Sequence, residues 1–212
     1  MGTTASFPMP SVAAKAALQF DDFELRGILP RLTDEEFEAL CRENPELRLE
    51  MDKDGNLIIM PPSSLESGGS ESEALITLGI WNRRTSLGKV FSSQAMFTLP
   101  DGAKRMPDAA WMTNERWATL SPKERQSFAH VVPDFVIEVS SPTDNLKKLK
   151  AKMRDVWIAN GVRLAWLLDP PTRTAWVFRA DGSAAVIEPP THLISGEDVL
   201  PGFEFDLNIF SE

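Results

Sequence analysis

Between Val131 and Pro142 the chain reads Val-Val-Pro-Asp-Phe-Val-Ile-Glu-Val-Ser-Ser-Pro. Apolar residues fill both parities from Phe135 to Val139, which describes a strand covered on both faces, and Pro133 and Pro142 bracket it where pairing must stop. Glu138 lies inside that run. A carboxylate in the centre of a sheet is costly to desolvate unless a cation, a metal or a retained proton compensates it, and a purely structural ion pair would serve as well.

The elements around this strand alternate between helical and extended patterns. Thr33-Asp34-Glu35-Glu36 forms a capping box, and Phe37, Leu40 and Cys41 follow on one face of a short helix that ends near Asn44-Pro45. Leu47 to Met51 and Leu57 to Met60 flank Asp52-Lys53-Asp54-Gly55-Asn56 as a hairpin. Ser67-Gly68-Gly69-Ser70 reads as an approach to a helix whose buried side carries Leu75, Leu78, Ile80 and Trp81, ending at Gly88. Val90 to Leu99, the turn Pro100-Asp101-Gly102, and Met106 to Met112 read as one antiparallel hairpin. A polar helical interval, Thr113 to Ser127, precedes the Glu138 strand.

After it, Thr143-Asp144-Asn145 caps a helix from Leu146 to Asn160 that Gly161 terminates. Val162 to Leu168 is a second near-continuous apolar run, and Thr174 to Arg179 with Ala184 to Glu188 forms a hairpin about Asp181-Gly182. The apolar segment Leu200 to Phe210 packs back on the sheet. Residues 1–20 are rich in Pro, Ala and Ser and read as a loosely held tail, which leaves 21–212 as a single α/β domain with a mixed central sheet.

Composition narrows the function. A net charge of −9 argues against nucleic-acid binding through bulk positive charge, so such contacts must be local. The single cysteine, Cys41, excludes an internal disulfide framework and fits a reducing cytoplasm. No apolar run approaches a membrane span, and Met1 to Phe20 lacks the pattern of a signal peptide. There is no P-loop, no zinc spacing and no Gly-x-Ser-x-Gly elbow, and His130 and His192 read as surface or loop residues.

Asp108 and Glu138 are the strongest candidate pair. Each lies in a Pro-Asp segment that opens an apolar strand, and Glu138 shares a strand face with Asp134, Val136 and Ser140. Oxygen-bearing side chains converging from neighbouring strands suit Mg²⁺ or Mn²⁺ rather than Zn²⁺. Lys152 sits three residues after Leu149 and four before Val156, on the apolar face of the following helix, where its ammonium can reach the carboxylates. The plainer alternative for Lys152 is to snorkel outward or to pair with Glu138 structurally.

Several motifs in order now resemble a known family: Leu49-Glu50, Gly55, Leu57 to Ser63, Pro107-Asp108-Ala109-Ala110-Trp111, Pro133 to Pro142, Lys152-Met153, Gly161, Trp166 to Pro170, and Leu200-Pro201-Gly202-Phe203. Together, over Leu32 to Phe210, they resemble the Uma2 family, also called DUF820. That family is similar to PD-(D/E)xK nucleases. The resemblance implies a restriction endonuclease-like fold, a mixed central sheet flanked by helices with additional strands. It makes Asp108 the motif aspartate and Glu138 the second acid, with Asp108, Glu138 and Val139 as metal positions. The residue two after Glu138, where such motifs carry lysine, is Ser140, and Lys152 matches a lysine recurrent in the family. Glu50 resembles the family's strand glutamate, and Glu73 stands where such folds supply a further metal or water contact. Glu71 stays unassigned.

The expectation is therefore a Mg²⁺- or Mn²⁺-dependent endonuclease acting on DNA, cytoplasmic and homodimeric, with no membrane partner. Lys147, Lys148, Lys150 and Arg154 on one helix and Arg83, Arg84 and Lys89 on another would supply local positive charge. The competing expectation is a binding or scaffold protein that keeps the fold and uses its carboxylates structurally.

Overall fold

The computed structural model describes residues 23–25 and 32–211, so the tail read over 1–20 lies outside the described residues. The chain begins with strand β1 (Phe23–Leu25) and helix α1 (Asp34–Glu43). Both halves of the capping box form: the Glu36 N–H donates to Thr33 Oγ1 at 3.2 Å and the Thr33 N–H to Glu36 Oε2 at 2.8 Å. Strands β2 (Arg48–Met51) and β3 (Leu57–Met60) make the expected hairpin, where Asp52 Oδ1 accepts from the N–H groups of Asp54 and Asn56.

Helix α2 (Leu65–Thr85) starts earlier than its sequence suggests. Ser64 caps it, with the Ser67 N–H donating to Ser64 Oγ at 3.1 Å, so Ser67-Gly68-Gly69-Ser70 is helical rather than an approach. It also ends sooner, at Ser86, which adopts φ 55°. Ala74, Leu78 and Trp81 are buried, whereas Ile80, expected among them, is exposed. Gly88 has a different duty. A Cβ there would stand 2.1 Å from the Met112 carbonyl oxygen and 2.6 Å from the Trp111 indole. Gly88→Ala should therefore push apart the strand pair at this point and destabilise the fold by about 1–3 kcal/mol, read as a lower urea midpoint.

The next four strands correct a second expectation. They are β4 (Gly88–Ser92), β5 (Phe97–Thr98), β6 (Lys104–Arg105) and β7 (Ala109–Thr113). The single hairpin read from Val90 to Met112 is two separate ladders, β4 with β7 and β5 with β6. Pro107 has no N–H to continue a ladder, and the Ala95 N–H turns back to the Ser92 carbonyl, so the chain crosses between sheets at those points. β6 then joins β2, completing a five-stranded sheet in the order β1-β3-β2-β6-β5.

Helix α3 (Asn114–Thr119) and a 3₁₀ turn at Glu124–Gln126 replace the longer helical interval, because Pro122 interrupts it. Then come β8 (Phe135–Val139), α4 (Leu146–Lys152), β9 (Leu164–Asp169), β10 (Thr174–Arg179) and β11 (Ala184–Ile187). α4 does not continue to Asn160 as a regular helix but passes into a π-helical turn over Met153–Ile158. Gly161 closes it at φ 101°, as expected. β12 (Leu193–Ser195) and β13 (Glu204–Asp206) pair antiparallel near the end of the chain.

The central sheet runs β11-β10-β9-β8-β7-β4, with β8 and β9 parallel and the other pairs antiparallel. It is covered on both sides, as the composition of β8 requires. Phe135 and Ile137 point into a core with Ala74, Leu78 and Trp81 of α2, Trp166, and the returning Phe203, Phe205 and Leu207. Trp166 stacks on Phe203 at 5.4 Å between ring centroids. Val136 faces the opposite core with Leu167, Phe178, Met153 and Trp157. Glu138 shares the parity of Val136, so it points toward the π turn.

Candidate active site

The antiparallel register of β7 and β8 pairs Ala109 with Ile137 and Ala110 with Val136. One step further the register sets Asp108 opposite Glu138, and a strand period of two puts both on the face toward α4. The ladder ends there through a side chain: the Val139 N–H donates to Asp108 Oδ2 at 2.7 Å. Oδ1 is left for another partner. Val139 thus enters the site through its backbone, while its side chain packs on the opposite core.

Glu138 is 5% exposed, and both its oxygens are engaged. Lys152 Nζ lies 2.9 Å from Oε1 and 3.0 Å from Oε2, and Trp157 Nε1 donates to Oε1 at 2.8 Å. Ser140, at the position where a strand lysine would stand, is occupied elsewhere. Its Oγ donates to Asp169 Oδ1, Thr172 Oγ1 donates to Asp169 Oδ2, and the three residues fasten the ends of β8 and β9. The cation that faces Glu138 therefore comes from α4.

The π turn explains how two residues five apart can meet one carboxylate. In a regular α-helix, five residues rotate the side chain by about 500°, leaving Trp157 roughly 140° away from Lys152. A π turn closes with i→i−5 bonds. The Ala159 N–H bonds the Arg154 carbonyl at 2.9 Å, and the Val162 N–H bonds the Trp157 carbonyl at 3.1 Å. Trp157 is thereby brought nearly under Lys152, and both reach Glu138.

Glu50 approaches from the second sheet and is 1% exposed. Its Oε1 accepts from the Met106 N–H at 2.7 Å and its Oε2 from Arg105 Nη1 at 2.9 Å. Burial alone would raise its carboxyl, but the charges of Lys152 and Arg105 and the Met106 hydrogen bond hold it below the ordinary range. Glu50 and Glu138 thus flank Lys152. Burial pulls the ammonium down, the two carboxylates outweigh it, and its pKa is raised.

The acids respond in the opposite sense. Burial raises Glu138, and the Lys152 charge and hydrogen bond offset only part of it. Asp108 is raised well above the usual carboxylate range, first by burial, then by the charges of Glu138 and Glu71, against the Val139 hydrogen bond and Lys152. Glu71, which receives the Ser63 hydroxyl at 2.9 Å, is therefore the α2 acid whose charge reaches Asp108. It falls in series with the buried Ser67, Ala74, Leu78 and Trp81, whereas Glu73 is turned about 200° from it around the helix. Asp134 stays apart from the site at the other end of β8, where it accepts from the Thr113 N–H and from Arg116 Nε and Nη2. His130 is exposed and pairs with Asp34.

Among the described residues, no three His, Cys, Asp or Glu side chains are grouped so that they could hold a metal ion. The donors that do converge, two carboxylates beside the Val139 peptide, are all oxygen and suit a hard divalent cation that keeps several waters. The charges of Glu138 and Glu71 beside Asp108, whose Oδ1 has no hydrogen-bond partner among the described residues, also favour an added positive charge. Trp157, Glu71 and Arg105 joined this constellation without being anticipated. Glu71 alone had a legible signal, its place in the buried series of α2.

Acids on adjacent central strands with a lysine close by define, with the mixed sheet, a nuclease-like α/β architecture. Residues 34–208 match the model of the Uma2 family, described as "Putative restriction endonuclease", and the chain belongs to that family. Among solved structures it is similar to the crystal structure of "a putative nuclease belonging to DUF820 from Anabaena variabilis ATCC 29413". That similarity has a TM-score of 0.67 and 20% identity, covers 84% of this chain and 97% of the other, and shows the fold. No curated protein matches the chain. No helix among the described residues is long and apolar enough to cross a membrane.

Proposed function

We propose that this chain is an endonuclease that hydrolyses DNA phosphodiester bonds with Mg²⁺ or Mn²⁺. The observation that carries this reading is the Lys152 ammonium within 3.0 Å of Glu138, which supplies a cation although residue 140 is serine. Asp108 and Glu138, with the Val139 peptide, would hold the ion. When bound, it would activate a water and neutralise the scissile phosphate.

The protein groups have separable tasks. Trp157 and Lys152 fix the Glu138 carboxylate, and the Val139 N–H fixes Asp108, so the ligands are oriented before substrate arrives. With its pKa raised, Lys152 keeps its proton and serves as a charge toward phosphate oxygens, not as a general base. Lys147, Lys148 and Arg154 on the same helical segment would meet the DNA backbone, while Lys150 lies over the Trp176 ring at 3.8 Å.

A second reading has its own support. Both Glu138 oxygens are already engaged, a closed pair that needs no metal, as in a nuclease-fold protein that only binds or scaffolds. Cleavage of supercoiled plasmid in Mg²⁺ or Mn²⁺ separates the two. Cutting by the wild type that is lost in Asp108→Ala and in Glu138→Ala supports the enzyme. Absence of cutting on several nucleic-acid forms, with no heat of metal binding, sinks it.

A further inference from the structure

On the side of α2 away from the core, the exposed positions 65, 69, 72, 76, 80 and 83 recur at three- and four-residue intervals and form one ridge. An outward ridge is normally charged. This one reads Leu65, Gly69, Ser72, Ile76, Ile80 and Arg83, with Leu65 98%, Ile76 52% and Ile80 44% exposed. Single exposed aliphatics need no explanation, but three aligned on one helix do.

The glycines add an independent observation. Gly68, Gly69 and Gly79 lie on or beside the ridge, and a Cβ at any of them would meet nothing within 4 Å. Glycine in a helix interior costs about 0.5–1 kcal/mol relative to alanine, and the packing around these three supplies no reason for it. Close approach of another backbone would.

Charge identifies that neighbour. Glu73 flanks the ridge on the side that also carries Arg84, about 60° and 80° from Ile76. Neither has an ion-pair partner among the described residues. A two-fold axis passing between Leu78 and Gly79 would lay a second α2 antiparallel, set Ile76 and Ile80 against the partner's Ile80 and Ile76, and bring Glu73 level with the partner's Arg84 on the same side. The pairing repeats by symmetry, which is the self-complementarity an isologous interface demands. We infer that the outer face of α2 is the surface through which two copies of this chain associate, with Ile76 and Ile80 at its centre and Glu73 paired to Arg84 across it.

Sedimentation velocity of the full chain over a dilution series tests this, without reference to catalysis. A dimer is expected. Ile80→Glu should give a monomer with an unchanged far-UV spectrum. Glu73→Arg and Arg84→Glu should each weaken association about tenfold, and the double variant should regain most of it. A wild type that stays monomeric at every concentration overturns the inference. So does a dimer untouched by Ile80→Glu, or a charge swap that fails to restore. If Arg84→Glu instead weakens DNA binding with no change in sedimentation, Arg84 is a phosphate contact and the interface is wrong.

Discussion

Replacing Lys152 by methionine is expected to destabilise the protein by about 3–5 kcal/mol, because it leaves the Glu138 carboxylate buried without its countercharge. The side chains are 18% and 7% exposed, so water cannot take over the role of the lost ammonium. Glu138→Gln in the same background should recover most of the loss, since a neutral amide oxygen can still accept from Trp157 Nε1. Urea denaturation of the two single variants and the double variant closes the cycle, and additivity of the two losses would show that the pair is not coupled. The pH dependence has a definite sign. Without Lys152, Glu138 is raised further above its unfolded value and the native state keeps an extra proton. The deficit should therefore be small below the ordinary carboxylate range and grow as pH rises through the raised value.

Asp108→Asn should separate activity from stability. If Asp108 holds the ion as proposed, cleavage is expected to fall by roughly 10³-fold, several kcal/mol at the transition state. The metal-free fold, by contrast, should become more stable at neutral pH. The Asp108 carboxyl is raised by burial and by Glu138 and Glu71, so wild-type stability is fully present below the unfolded carboxyl value and is lost as pH rises through the folded one. Asparagine has no proton to lose and still accepts the Val139 N–H. The melting temperatures of variant and wild type should coincide in acid and diverge toward neutrality, the variant being higher. Added Mn²⁺ should raise only the wild type. A variant less stable than wild type at pH 7 would mean that Asp108 is a structural anchor rather than a site held ready for a cation.

The centre of the molecule was legible because its signals are local. An apolar run of both parities names a doubly covered strand, and Phe135, Val136 and Ile137 are all fully buried. Strand period and antiparallel pairing were enough to bring Asp108 beside Glu138, and helical period was enough to turn Lys152 inward. What escaped depends on tertiary packing. The stretch from Val90 to Leu99 alternates weakly as one strand, and the break at Ala95 and the crossing at Pro107 become visible only when two sheets compete for the segment. The π turn has no composition of its own. It shows only in the i→i−5 bonds from Ala159 to Arg154 and from Val162 to Trp157, which accompany the approach of the Trp157 indole to Glu138. Preferring Glu73 to Glu71 came from resemblance, where counting back from Trp81, Leu78 and Ala74 would have selected Glu71.

The helical origin of Lys152 divides the site between two kinds of support. Its acids are pinned to the ladder, Asp108 by the Val139 amide and Glu138 by a tryptophan locked in the core. The ammonium, however, comes from the last residue of the seven-residue helix α4, where the π turn begins, and Leu146 and Leu149 of that helix pack on the core. Helix packing therefore sets where the positive charge lies and strand pairing sets where the acids lie, so a change confined to α4 would alter the charge balance between Asp108 and Glu138 and leave the ladder intact.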